Sequence, residues 1–240
     1  MDMTREALQY VVGLSEANIL EINGDTYTDK QVHRIDNNLR AAAIEMNTLT
    51  SLVDYAKAFA DEMSDQMLVQ VVSPTEVKLI SCLDMDRKRE CLVNVEAMIP
   101  EFAYGRYMDH ESFIIALQSK FIDNDDRALL LRFAGTVKDE SVAQYGDDGV
   151  TQTATVKTGI TSVEKAIVPN PVILRPYRTF VEVEQPDSAF VFRMKQSEGR
   201  GVECAIFEAD GGAWKNAAMR KIKGYLQSEL SELPQFTVIS

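Results

Sequence analysis

Residues 67–97, MLVQVVSPTEVKLISCLDMDRKRECLVNVEA, constrain the fold more than any other stretch. Aliphatic and β-branched residues gather in three short runs, separated by Ser73-Pro74 and by the charged turn Asp84 to Lys88. Connections this short cannot carry a helical crossover, so the runs are expected to pair as an antiparallel meander. Upstream, TREALQYVVGL spaces Leu8, Val11, Val12 and Leu14 as a helix does, with Thr4 as its cap. ILEINGDTYTD sets Asn23-Gly24 between two extended runs, the strongest local hairpin signal. An extended segment is expected to end near Asn47 and a helix to start near Ser51, where Ser51 and Asp54 fit a capping box.

Beyond the meander, Asp109 is placed to cap HESFIIALQSKFI, in which Phe113, Ile114, Leu117 and Phe121 share a face. Tyr145 to Gly149 reads as a tight turn, and VTQTATVKT alternates with the period of a half-exposed strand. From Val168 to Phe192 prolines punctuate extended runs, which suits edge strands, strand starts or rigid connections. VECAIFE is then a strong strand with apolar residues on both faces. DGG follows as a turn, Ala213 to Leu230 as a helix with Trp214, Ala218 and Ile222 on one side, and FTVI as a last strand. The expected class is α+β: an antiparallel, sheet-rich C-terminal half with a long C-terminal helix, and a smaller α/β N-terminal part. Residues 1–240 are expected to form one compact unit, with subdomains at 1–100 and 101–240 if it divides.

Composition excludes several functions. A net charge of −12 disfavours generic duplex DNA binding, which draws on clustered Lys and Arg. Cys82, Cys91 and Cys204 form no C-x-x-C pair, and His33 and His110 are the only histidines, so a structural zinc site is not expected. The N-terminus lacks the pattern of a signal peptide, and no apolar run approaches the roughly 18 residues of a membrane span. A soluble protein of the bacterial cytoplasm, without a membrane partner, is the expectation.

Motifs for catalysis are also missing. There is no G-x-x-x-x-G-K-[ST] loop, GRG at 199–201 lacks the third glycine of a dinucleotide site, and no G-x-S-x-G elbow occurs. Asp147, Asp148, Glu182, Glu184, Asp187, Glu208 and Asp210 do supply hard oxygen ligands of the type magnesium takes. A common nuclease pattern would place an acidic residue, one spacer and a lysine after Pro186-Asp187, and none follows. Neither a catalytic residue, a metal nor a cofactor is assigned. The candidate ligand-binding residues are Arg175, Tyr177, Arg178 and Arg193, whose guanidinium forks and phenol suit a phosphate, a carboxylate or an acidic peptide. Against this, the same arginines have Glu182, Glu184 and Asp187 nearby to pair with. FEADGGAWK is read as a strand-to-helix corner, with Asp210 accepting the first helical amides and Trp214 packing onto the sheet.

The phrases SPTEV at 73–77, YGDDGVTQTATVKTGI at 145–160, VPNPVILRPYRTFVEVEQPDSAFVFRM and FEADGGAWK resemble uncharacterised bacteriophage and prophage proteins of Gram-positive hosts, and more distantly the YfdQ-like prophage proteins with a domain of unknown function. The likeness runs from the INGDTYTD hairpin to the last helix. It implies a phage origin and a cytosolic role during infection, and it brings no catalytic residues. The expected function is that of a non-catalytic accessory protein binding a host or phage protein, a nucleotide signal or other small anionic ligand, or a nucleic-acid intermediate. Counter-defence, recombination support and host takeover fall within it. The alternative is a metal-dependent phosphodiesterase or nuclease. Pro-bounded edge strands and apolar segments such as IIAL further suggest a homo-oligomer.

Overall fold

Asn23 and Gly24 stand at φ 56° and 86°, the left-handed pair that a two-residue hairpin turn demands. In this computed structural model the described residues are 4–14, 17–31, 40–59, 61, 66–84, 87–136, 142–147, 152–158, 162–168, 170–197 and 201–240. The chain divides into two units, 1–41 and 42–240. The first holds α1 (Arg5–Gly13) and the hairpin of β1 (Ile19–Ile22) and β2 (Asp25–Thr28). Thr4 caps α1 by accepting the Ala7 amide at 3.3 Å.

The second unit runs β3 (Ile44–Met46), α2 (Leu49–Ala58), β4 (Met67–Ser73), β5 (Glu76–Ser81), β6 (Cys91–Glu96), β7 (Met108–Asp109), α3 (His110–Lys120), β8 (Phe121–Ile122) and α4 (Asp125–Thr136). It continues with β9 (Val142–Asp147), β10 (Gln152–Thr158), β11 (Ser162–Val168), β12 (Val172–Pro176), β13 (Ser188–Ser197), β14 (Gly201–Glu208), α5 (Ala213–Glu229) and β15 (Phe236–Ile239). The class is α+β.

The expected meander is present as β4-β5-β6, and it is the centre of a sheet ordered β15-β4-β5-β6-β3. Its two outer strands, β15 and β3, run parallel to their neighbours. Alternation decides which face is buried: Met67, Val69 and Val71 point inward, with Val77, Leu79, Val93 and Val95 beside them. Leu52 and Val53 of α2 and Ile222 and Leu226 of α5 belong to the same core.

A second sheet, ordered β7-β14-β13-β12-β8, is antiparallel throughout. Its core joins Phe190, Phe192, Cys204 and Ile206 to Phe113 and Leu117 of α3 and Leu130 and Phe133 of α4. A third sheet is ordered β11-β10-β9. Between the two large cores runs the segment 178–188. Phe180 and Val183 join the first core, while Arg178 and Ser188 are buried beside the second sheet.

Four details differ from expectation. The α2 cap is Thr48, whose hydroxyl accepts the Ser51 amide at 3.1 Å, so the helix starts before the Ser51 box. Tyr145 to Asp147 end β9 rather than form a turn; Asp148 and Gly149, like His33, lie outside the described residues. Helix α4 was not expected. Asn124 caps it, accepting the Arg127 amide at 2.8 Å. Arg127 in turn donates to the carbonyls of Leu117 and Gln118, closing the end of α3. Finally, Trp214 packs on the guanidinium of Arg178, as described below.

A candidate ligand-binding cleft

Strand β14 is buried on both faces and must leave the sheet abruptly to begin α5. Gly211 and Gly212 make the corner at φ 62° and 81°, where a β-carbon would be strained. Asp210 braces it by accepting the Gly212 amide at 3.0 Å. Trp214 then enters the first turn of α5 with its ring 3.8 Å from the Arg178 guanidinium carbon.

Arg178 is only 4% exposed and is therefore surrounded by partners. Its Nη1 donates to Glu208 at 2.6 Å, and its Nη2 to the Ser188 hydroxyl. The Ser188 hydroxyl in turn donates to Asp210 at 2.7 Å, and Asp210 lies 3.9 Å from Nη2. Burial pulls the guanidinium pKa down, while the surrounding carboxylates and Tyr104 oppose the shift. Burial also works against ionisation of Asp210, but the Ser188 hydroxyl, the Gly212 and Trp214 amides and Arg178 outweigh it and hold the carboxyl below its ordinary value. Two buried donors, Arg178 Nε and Trp214 Nε1, have no hydrogen-bond partner among the described residues.

The backbone at this point is fixed by one side chain. Gln185 accepts from the amides of Arg178 and Thr179 at 3.0 and 3.2 Å, and donates to the carbonyls of Phe180, Thr179 and Val183. It stands in for a neighbouring strand where the chain has none.

Next to this network is a cleft of about 620 Å³. Strand β12 ends at Pro176 opposite Phe121, and the Tyr177 amide donates to the Lys120 carbonyl at 3.0 Å, so the 176–178 corner sits against the end of α3. The 99–107 loop forms the facing wall, tied down by the Gly105 amide on the Ile206 carbonyl at 2.8 Å. Phe102 meets Phe121 edge-on at 5.1 Å, and Tyr104 stacks on Phe190 at 5.6 Å. Ile99, Phe102, Tyr104, Met108 and Ala116 make the lining largely apolar. Glu101, Ser112, Lys120, Tyr177 and Arg178 are its polar members. Lys120 spends one N–H on the Glu101 carbonyl. Burial pushes the Tyr104 phenol up to about 12, so it stays neutral and keeps a proton to donate.

The four arginine and tyrosine candidates are not all in one place. Tyr177 and Arg178 line the cleft. Arg175 lies on the sheet face opposite Val172 and Leu174, where Asp187 takes its Nε at 2.5 Å and its Nη2 at 3.2 Å. Arg193 is on β13 across from Ala205 and donates to the Phe192 carbonyl. Asp187, which faces Arg175, is six positions from Arg193, and at about 3.3 Å per residue the two arginines are roughly 20 Å apart along the strand.

The acidic candidates are dispersed in the same way. Glu182 accepts the Thr50 amide in the first turn of α2 at 3.1 Å, and Glu184 pairs with Lys221 at 2.7 Å. Asp187 holds Arg175, and Glu208 and Asp210 hold Arg178. Among the described residues no group of three or more His, Cys, Asp or Glu side chains is placed to hold a metal ion. Burial raises the Cys204 thiol to about 12, which keeps it from acting as a thiolate near neutral pH. No helix among these residues is long and apolar enough to cross a membrane.

Phe102, Tyr104 and Lys120 were not singled out from the sequence. Their one signal is an aromatic-rich loop, FAYGRY, just ahead of the Asp109 helix cap. Compared with known protein families, curated proteins and solved structures, the chain matches none.

Proposed function

We propose that the chain is a non-catalytic binding protein whose ligand is a small molecule with an apolar or aromatic body and a single acidic group. The observation that carries this is the cleft itself: about 620 Å³, walled by Phe102 and Tyr104, with Lys120 and Arg178 among its polar lining residues. Volume, apolar lining and a few convergent donors are what small-molecule sites have in common.

The charge inventory narrows the ligand. Arg178 is already committed to Glu208 and Asp210, and Glu101 adds a carboxylate at the rim. Lys120, with two N–H bonds left, is matched to one negative charge. A polyphosphate or a nucleic-acid strand would meet the acidic surface of a −12 chain with too few cations to offset it. Glu182, Glu184, Asp187, Glu208 and Asp210 are each engaged with partners of their own, which favours the binding reading over the metal-dependent phosphodiesterase. A phage accessory role in the host cytoplasm is part of the proposal and rests on the sequence resemblance alone.

Trp214 is the chain's only tryptophan and touches Arg178, so its fluorescence reports on the cleft wall. The test is a titration with benzoate, indole-3-acetate and octanoate, beside the matching amines and dicarboxylates. Saturable quenching by the monocarboxylates is expected, weakened tenfold or more by Lys120→Glu and by Ser112→Phe, which fills the cleft from an exposed position. Equal responses from all three chains would refute the reading.

A further inference from the structure

We infer that the ligand of the cleft carries, besides its acidic group, a neutral oxygen that accepts a hydrogen bond from Tyr104, so that Tyr104 selects oxygenated acids over plain hydrocarbon ones. The inference rests on the binding function proposed above and specifies what the bound molecule must offer.

The Tyr104 ring is fixed before any ligand arrives. It stacks on the buried Phe190 at 5.6 Å and 15°, and Phe102 leans on it at 4.8 Å. Gly105 follows at φ 71°, and its amide is tied to the Ile206 carbonyl at 2.8 Å, which anchors the loop beside the ring. A phenol on a ring held in this way is preorganised for one direction of contact.

Its hydroxyl is the group left without a partner. No described residue hydrogen-bonds to it, it is not sealed from solvent, and Tyr104 lines the cleft. Ser112 and Tyr177 bring further unpartnered hydroxyls to the lining, but both residues are exposed and keep their water. Tyr104 is half-buried. A ligand body that covers it strips the hydroxyl of water, which weakens binding unless the ligand replaces the lost bond.

Charge fixes what the replacement must be. Burial keeps the phenol protonated, and among charged groups Arg178 acts on it most strongly, drawing negative charge toward the oxygen and sharpening the O–H as a donor. The ligand therefore presents an acceptor. That acceptor is neutral, because Lys120 is matched to the one negative charge and a second anion beside Tyr104 would meet the field of Glu208. A ketone, ester, amide or ether oxygen fits.

The test is isothermal titration calorimetry of the full chain with isosteric pairs, meta- and para-acetylbenzoate against meta- and para-isopropylbenzoate, in which a ketone oxygen takes the place of a methyl group. One acetyl isomer should bind the natural chain at least about tenfold more tightly than its isopropyl partner. In Tyr104→Phe, which keeps the ring and its stacking, that preference should vanish. Tyr107→Phe, the same change on a ring that packs against Phe207 outside the cleft lining, should retain it. Isopropyl and acetyl acids that bind equally at both positions would overturn the inference and leave the binding proposal standing. A preference that survives Tyr104→Phe, a Tyr104→Phe chain that loses both acids alike, or a preference lost in Tyr107→Phe would overturn it as well. If none of the benzoates binds, the proposed function itself falls, and this inference with it.

Discussion

Replacing Arg178 with alanine should cost about 3–5 kcal/mol of stability, and each part of that sum can be assigned. The desolvated contact with Trp214, at 3.8 Å, contributes about 2 kcal/mol. The Glu208 pair adds only about 0.5–1 kcal/mol, because the carboxylate is half in water despite its 2.6 Å bond. Ser188 and Asp210, buried beside the missing guanidinium, lose a donor and a counter-charge, for about 1–3 kcal/mol. The parts overlap, and the total agrees with the usual effect of removing one partner from a buried ion pair. Urea unfolding followed by circular dichroism measures it, and a drop in Tm of about 6–20 °C should accompany it. A double-mutant cycle with Glu208→Gln should return a coupling of no more than about 1 kcal/mol. A loss below about 1 kcal/mol for Arg178→Ala would mean that the guanidinium is not held in this network.

Two other predictions follow from the same corner. Gln185→Leu keeps approximate size but strands two buried amides and their carbonyl partners, so it should destabilise by about 3–5 kcal/mol, whereas an ordinary exposed Gln to Leu change stays near 0.5 kcal/mol; urea midpoints decide. For Asp210 the folded pKa lies below the ordinary 3.8, so its stabilisation is complete above about pH 4 and is lost as pH falls through the folded value. The stability difference between the natural chain and Asp210→Asn should therefore hold above about pH 4 and shrink as pH falls below it, and a difference independent of pH would contradict it.

Local chemistry was legible in the sequence and long-range pairing was not. Asn23-Gly24, the Thr4 and Asp109 caps and the 67–97 meander are each set by neighbours within a few residues, and all are present. Helix α4 escaped because its apolar residues come as the block Leu129-Leu130-Leu131, which has no visible period, and because Asn124 signals its start only as a single residue. For the arginines, the sequence offered acids of their own segment. That pairing holds for Arg175 with Asp187, but Arg178 takes Glu208 from the end of β14 and Asp210 from the corner after it, 30 and 32 residues on. A buried cation chooses partners by the fold, and the DGG corner and the arginine segment, read as separate candidates, turn out to be halves of one network. Lys120 gave no signal, since a lysine ending a helix is ordinary.

The central claim is that a small monoanion enters the cleft, and Met108 on its wall allows the most direct test. The protein would be labelled with ¹³C at its ten methionine methyls, the Met108 resonance assigned by Met108→Leu, and octanoate or indole-3-acetate titrated in. A saturable shift at Met108, with exposed Met98 unmoved and the effect lost in Lys120→Glu, is the predicted result. Shifts at Met98 alone, or no shift at Met108 at millimolar concentrations, would contradict the account.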